Sequence, residues 1–245
     1  MIVITLNKYT VKVKVLFLFC LLGISCMLKA ADKPIIKIET DCTSLIFQVG
    51  DNGRLYQRYL GKKLNHESDF VYLPQGTEVY ITHGAEDYFE PAIQVLHNDG
   101  NPSLLLKYVE HSSSRQNDGS VETVITLKDD KYPVTVKLHY ITYAAENIIK
   151  TFTEINHQEK KPIVLSKYAS SMLHFNRDKY FLTEFSGDWA HEVNIAEREL
   201  AFGKKTIDTK LGARANMFVS PFFQLSLGAP SEENSGEVLV GTLGW

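Results

Sequence analysis

Aromatic, acidic and imidazole side chains are concentrated in residues 181–200, FLTEFSGDWAHEVNIAEREL. Within this stretch Ser186, Gly187 and Asp188 are typical of a turn, and Trp189 follows them as one of only two tryptophans in the chain. An indole beside a carboxylate suits sugar binding, because the C–H face of a pyranose packs on the ring while the carboxylate accepts hydroxyl hydrogen bonds. Since large aromatics usually pack in a core, the alternative is that Trp189 is a buried core residue. We favour an exposed indole at a loop tip, where binding residues concentrate.

Motifs for other kinds of chemistry are absent from the sequence. The glycines at positions 50 and 53 have the wrong spacing for a nucleotide loop, and the eight histidines form no H-E-x-x-H pattern. No G-x-S-x-G elbow of a serine hydrolase occurs. His191 and Glu192 could form an acid/base pair, but neighbouring residues in a strand point to opposite faces, so a surface histidine is the favoured interpretation. We therefore predict no metal and no cofactor.

The first 31 residues have the pattern of a secretory signal peptide. Three lysines precede an uncharged run over residues 15–28, and Lys29 and two alanines follow it. The run of 14 residues is short for a membrane of about 30 Å, so cleavage near Ala30 or Ala31 is favoured over a retained anchor. A lipid-modified Cys26 is a weaker alternative. The remaining residues, 32–245, form the predicted folded domain.

Charge argues against nucleic-acid binding, and cysteine content is compatible with export to an oxidising compartment. Removing residues 1–31 takes away four lysines and no acidic residue, so the formal charge changes from −3 to −7. An acidic chain is a poor candidate for nucleic acid. Cys42 is the one cysteine beyond the leader, so no intramolecular disulfide is possible there. We predict a periplasmic or extracellular location.

Hydrophobic residues beyond position 35 alternate with period two, which is typical of β-strands. The clearest case is residues 134–140, where apolar residues alternate with Thr135, Lys137 and His139. Asn52-Gly53 supplies the strongest hairpin signal. Other predicted strands include residues 79–82, 92–97, 163–175 and 238–243, whereas residues 190–200 could alternatively form a helix. More than a dozen short strands predict an all-β chain that folds as a large two-sheet sandwich.

Four stretches, taken in order, resemble the N-terminal domain of a glycoside hydrolase family 36 α-galactosidase of the Bacteroides type. They are GRLYQRYLGKKL (53–64), EDYFEPA (86–92), FSGDWAHE (185–192) and LGARANMFVSP (211–221). The last two are the most specific, and the likeness extends from about Ile35 to the last residue. The resemblance implies a β-supersandwich of two large antiparallel sheets, galactose mutarotase-like, that precedes a (β/α)8 catalytic barrel.

The resemblance also implies which residues contact substrate. Loops of this domain help to wall the galactose pocket in relatives, which makes Trp189, Asp188 and Asp87 the candidate substrate-binding residues. The family usually carries an arginine where this chain has Phe89. The two catalytic aspartates of the family are expected in the barrel, so no catalytic residue is predicted in this chain, which we expect to be inactive alone. The implied partners are an α-galactoside, the catalytic barrel and other copies of the complete enzyme.

Two other functions remain open from the sequence. The chain could be a free-standing sugar-binding β-sandwich, or a mutarotase-like epimerase that uses histidine and glutamate as acid and base. The chain ends on an apolar strand-like run, residues 240–245, whereas a natural C-terminus is usually polar and loose. This pattern favours a chain truncated before its barrel.

Overall fold

The computed structural model describes residues 33–66, 68–85, 89–208 and 218–244. The predicted leader lies outside the described residues. The described part is nearly all β, which confirms the predicted fold class, and contains one short helix, α1 (Ser68–Val71). The strands are β1 (Ile35–Glu39), β2 (Thr43–Val49), β3 (Leu55–Lys62), β4 (Thr77–Glu78), β5 (Ile93–Leu96), β6 (Leu106–Arg115), β7 (Val121–Asp129), β8 (Val134–Tyr143), β9 (Ile148–His157), β10 (Val164–Tyr168), β11 (Tyr180–Asp188), β12 (His191–Glu199), β13 (Phe218–Leu227) and β14 (Val238–Gly241).

The chain divides into two compact units, an N-terminal unit (Met1–His174) and a C-terminal unit (Phe175–Trp245). Two four-stranded sheets, β1-β2-β3-β4 and β6-β7-β8-β9, and the two-stranded ribbon β10-β5 belong to the N-terminal unit. The C-terminal unit holds one four-stranded sheet in the order β12-β11-β13-β14. All of these strand pairs are antiparallel. Hydrogen bonding thus divides the described strands among four sheets, whereas the sequence analysis expected two large sheets.

A single apolar core joins the two large sheets of the N-terminal unit. Strand β8 contributes Val134, Val136, Leu138 and Tyr140, all of them buried, which is the alternation that the sequence shows. Across the core the ring of Tyr140 lies 5.2 Å from that of Phe47 on β2. The opposite face of β8, expected to be wet, is only partly so, because His139 is buried and stacks on Phe152.

The Asn52-Gly53 hairpin forms as predicted between β2 and β3. Gly53 has a φ of 77°, a left-handed conformation that glycine adopts without a Cβ clash. The side-chain oxygen of Asn52 accepts a hydrogen bond from the backbone N–H of Arg54 at 3.0 Å. The turn is therefore held by the two residue types that the pattern indicates.

Two expected strands are wrong in extent, and the helical alternative for residues 190–200 is excluded. Residues 190–200 do not form a helix, because β12 pairs with β11 from Phe181 opposite Glu199 to Asp188 opposite His191. Residues 79–82 are buried but form no strand beyond a bridge from Thr82 to Ile93. The long strand expected over 163–175 is limited to β10, since only residues 164–168 find a partner, on β5.

No helix in the part of the chain that the structure describes is long and apolar enough to cross a membrane.

A buried pair of His97 and Glu159 holds loops of the N-terminal unit together. Their side chains are 0% and 2% exposed, and Nδ1 of His97 lies 2.6 Å from Oε1 of Glu159. The imidazole also stacks on Tyr132, with ring centroids 3.6 Å apart. Burial alone would raise the pKa of Glu159, but hydrogen bonds from His97 and Asn98 outweigh it and lower the pKa below the ordinary 4.5.

The lowered pKa of Glu159 predicts an acid-sensitive fold. A carboxyl whose folded-state pKa is depressed stabilises the fold above its unfolded pKa, and this contribution is lost as the pH falls through the folded pKa. We therefore expect the melting temperature to fall on acidification below about pH 4.5, and Glu159→Gln to flatten that decline. The matched control Glu146→Gln, in an exposed turn, should leave the decline intact. An unchanged pH profile in Glu159→Gln would contradict this assignment.

Candidate functional site

Trp189 lies at the tip of the β11–β12 hairpin. Asp188 is paired with His191, so Trp189 and Ala190 form a two-residue turn, and Ala190 adopts a φ of 62°. The Trp189 side chain is 87% exposed. The predicted exposure at a loop tip is confirmed, and the alternative of a buried core residue is wrong. The physical reason is that a two-residue turn extends beyond the last pair of the sheet, where no further strand can cover it.

Asp188 immediately precedes Trp189 and carries an exposed carboxylate. Its Oδ1 accepts a hydrogen bond from the backbone N–H of Trp189 at 2.7 Å, which fixes the carboxylate against the turn. An ionised carboxylate has about four acceptor positions, so the exposed group retains capacity for ligand hydroxyls. An apolar ring and an acceptor on consecutive residues can bind the two surfaces of a sugar, namely its C–H face and its hydroxyl edge.

The backbone around the tip is strained in three places. Ala190, Val193 and Phe218 have φ values of 62°, 56° and 62°, and the one other such residue in the described ranges, apart from glycines, is Asn147 in the N-terminal unit. Phe218 on β13 is paired with Gly187. A positive φ is rare for non-glycine residues and is an outlier for a β-branched valine. The φ of Ala190 is what a two-residue hairpin turn requires, but strain like that at Val193 and Phe218 clusters at functional sites, which makes the tip the candidate site in the C-terminal unit.

A β-bulge gives the tip its register. Ser186 is paired with Asn194 but Asp188 with His191, so two residues of β12, Glu192 and Val193, lie opposite Gly187. A bulge shifts the alternation of side chains by one position. The argument from alternation did not anticipate the pairing of His191 with Asp188. Only the position of the turn at Trp189 and Ala190 could have indicated this pairing. The left-handed backbone of Val193 leaves no signature in the sequence.

Asp87, the third candidate residue, lies outside the described residues. Phe89, two positions further on, is 68% exposed, which agrees with its place in a surface loop. Asp87 therefore stays a prediction from the family resemblance. Most of the stretch 211–221 also lies outside the described residues.

Histidine and glutamate pairs elsewhere are poorly placed for catalysis on a substrate. The side chains of His97 and Glu159 are buried. His139 is also buried and stacks on Phe152, and its Nδ1 lies 2.9 Å from Oε1 of Glu122. Within the ranges described, no group of three or more histidine, cysteine, aspartate or glutamate side chains could hold a metal ion. The exposed thiol of Cys42 is free. The strained hairpin tip therefore remains the candidate site.

Residues 53–245 match the model of the glycosyl hydrolase family 36 N-terminal domain. No curated protein matches the sequence. The family match covers most of the chain and includes the whole β11–β12 hairpin.

Solved structures with the same fold are α-galactosidases. A variant of α-galactosidase AgaA from Geobacillus stearothermophilus in complex with raffinose is 21% identical, with a TM-score of 0.74 over 84% of this chain and 33% of its own. The α-galactosidase from Lactobacillus brevis is 21% identical, with a TM-score of 0.69 over 80% of this chain and 31% of its own. At this identity the likeness shows the fold alone. The chain spans about a third of the length of these structures.

Proposed function

The chain belongs to the glycosyl hydrolase family 36 N-terminal domain family, and from this premise we propose that it is the N-terminal domain of an exported α-galactosidase. In this proposal Trp189 and Asp188 wall the pocket that binds a terminal α-galactosyl unit. The observation that carries it is the exposed Trp189 indole beside the Asp188 carboxylate on a strained hairpin tip. Asp87 is proposed as a further substrate contact, and export is supported by the pattern of residues 1–31.

The class of sugar is supported by the related structures. One variant of AgaA was solved with raffinose and another with stachyose. Both sugars carry an α-galactosyl unit on a sucrose-containing core. A terminal galactosyl unit presents an apolar C–H face and a hydroxyl edge, which matches the ring and the acceptor at the hairpin tip. We therefore propose an α-galactoside as the ligand of this chain.

The reaction itself is assigned to the catalytic barrel of a longer enzyme. Hydrolysis with retention needs a nucleophilic carboxylate and an acid/base carboxylate about 5–5.5 Å apart. In our proposal both belong to the barrel, while this domain packs on the barrel and contributes part of the pocket wall. The complete enzyme is proposed to be a homo-oligomer.

Binding of raffinose by the 245-residue chain tests the proposal. Because this domain supplies only part of the proposed pocket, we expect weak binding, with a Kd in the millimolar range, equivalent to a binding free energy of about −4 kcal/mol. Sucrose is the matched control, because it lacks the α-galactosyl unit of raffinose. Titration followed by NMR should show saturable shifts with raffinose and none with sucrose. Equal responses to both sugars would contradict an α-galactosyl site.

Hydrolysis by this chain is expected to be undetectable. The proposal places both catalytic carboxylates in the barrel, so no covalent intermediate can form on the described domain. An aryl α-galactoside assay with purified chain should therefore give no release above background. Turnover that disappears on replacement of Asp188 or Glu192 would contradict this division of roles. Accelerated interconversion of galactose anomers would favour the epimerase alternative instead.

A further inference from the structure

The bulge in β12 places a third polar side chain at the hairpin tip. Asp188 and His191 are directly opposite each other, and residues in such a pair project from the same face with Cβ atoms about 4.5–5.5 Å apart. The two side chains therefore flank the turn that carries Trp189. Without the bulge, the register of Ser186 with Asn194 would leave His191 inside a wider loop rather than opposite Asp188.

Asn194 holds this arrangement across the bulge. A bulge disrupts the ladder of backbone hydrogen bonds and leaves the extra residue without its usual partner. Here the side-chain Nδ2 of Asn194 donates a hydrogen bond to the backbone oxygen of His191 at 3.1 Å. The backbone of His191 is thus tied to a side chain that lies outside the turn.

The bulge is kept although it strains the chain. Val193 adopts a φ of 56°, which costs on the order of 1–2 kcal/mol for a residue with a Cβ, and its side chain is 66% exposed. An exposed side chain gains little from packing, so local burial does not offset the strain. A strained feature with no packing gain is better explained by what it positions than by stability.

We propose that His191 is a third sugar-contacting residue of this site and that Asn194 positions it. The ligand class is a hydroxylated sugar, since an imidazole can both donate to and accept from hydroxyl groups and faces the same edge as the Asp188 carboxylate. This inference rests on the proposed function, because it uses the same site and the same α-galactoside. It adds a residue that the sequence alone assigned to the surface.

Raffinose titration of single variants tests the role of His191. His191→Ala should weaken raffinose binding about tenfold, the size expected for a hydrogen bond to a charged or polar ligand group. The matched control is His157→Ala, an exposed histidine at the end of β9, which should leave the Kd unchanged. Circular dichroism should show the same melting temperature for both variants, because both side chains are exposed.

A double-mutant cycle tests the role of Asn194. Asn194→Ala should weaken binding about threefold in the unaltered chain but have little further effect when His191 is already alanine, since it acts through that residue. Faster amide hydrogen exchange over residues 188–194 should accompany Asn194→Ala with or without sugar. Asn156→Ala, an exposed asparagine on β9, is the control. Additive effects in the cycle would overturn the positioning role.

The outcomes separate this inference from the proposed function. If Trp189→Ala abolishes raffinose binding while His191→Ala leaves it intact, only the inference about His191 is overturned. If the unaltered chain shows no raffinose binding, the proposed function fails and the sugar contact of His191 fails with it. The hydrogen-exchange result does not depend on sugar, so unchanged exchange in Asn194→Ala overturns the positioning role by itself.

Discussion

Phe47→Ala is expected to lower the free energy of unfolding of the N-terminal unit by about 3–5 kcal/mol. Phe47 is 0% exposed and its ring lies 5.2 Å from that of Tyr140, so removing it leaves a cavity between the two large sheets. Because a domain is stabilised by only about 5–15 kcal/mol, this is a large fraction of the total. Urea unfolding followed by circular dichroism measures the change as a lower midpoint.

A matched substitution separates the cavity from other effects. Phe47→Leu retains most of the apolar volume and should cost clearly less than Phe47→Ala. Equal midpoints for the unaltered chain and Phe47→Ala would contradict a core shared by β2 and β8.

Trp189→Ala should weaken raffinose binding and leave the stability of the fold unchanged, in contrast to the destabilising Phe47→Ala. The indole is 87% exposed, and surface substitutions away from caps and cores usually change stability by no more than about 0.5 kcal/mol. In a binding site, by contrast, a tryptophan that carries a contact contributes about 2 kcal/mol or more, which corresponds to roughly a 30-fold loss of affinity. Raffinose titration and thermal unfolding of the same variant measure both effects.

The control for this variant is Trp189→Phe, which retains an aromatic face and should retain part of the affinity. A fall in melting temperature comparable to that of Phe47→Ala would show that the indole supports the fold instead. Unchanged raffinose affinity in Trp189→Ala would contradict its role in the pocket wall.

The parts of the fold that were predictable from sequence are those governed by local rules. Alternation in residues 134–140 placed β8 and its core-facing residues correctly, because successive side chains of a strand point to opposite faces, but it missed the burial of His139 on the other face. Asn52-Gly53 identified its hairpin, because these residues favour turns wherever they occur. The turn expected at Ser186 to Asp188 was misplaced, since these residues end β11 and the turn lies at Trp189 and Ala190. Each of these signals is contained within a few residues.

The two strands that were predicted too long depend on partners elsewhere in the sequence. Residues 79–82 are apolar enough to be buried, but no neighbouring strand offers them a full ladder, so composition alone overestimated the strand. Residues 163–175 pair only where β5 lies alongside, and β5 has four residues. The helical alternative for residues 190–200, which the sequence did not favour, is excluded because β11 pairs with this stretch across the adjacent two-residue turn.

The ring and the carboxylate of the proposed site could be named from the sequence, whereas the proposed third residue, His191, could not. Trp189 and Asp188 are consecutive residues, so they lie near each other whatever the fold. His191 reaches Asp188 only through the bulge at Val193, whose left-handed backbone is unexpected for a β-branched residue. A register shift of one residue changes which side chains face each other, and no local pattern reports it.

The fluorescence of Trp189 during sugar binding tests the central claim most directly. Trp245→Phe leaves Trp189 as the one tryptophan of the chain, so its emission reports on the hairpin tip alone. Adding methyl α-galactoside should change the emission saturably, with a Kd in the millimolar range, while methyl α-glucoside, which differs at one hydroxyl, should have a much weaker effect. Asp188→Asn should weaken the response. An emission unchanged by methyl α-galactoside, or changed equally by both sugars, would contradict a galactosyl site at Trp189.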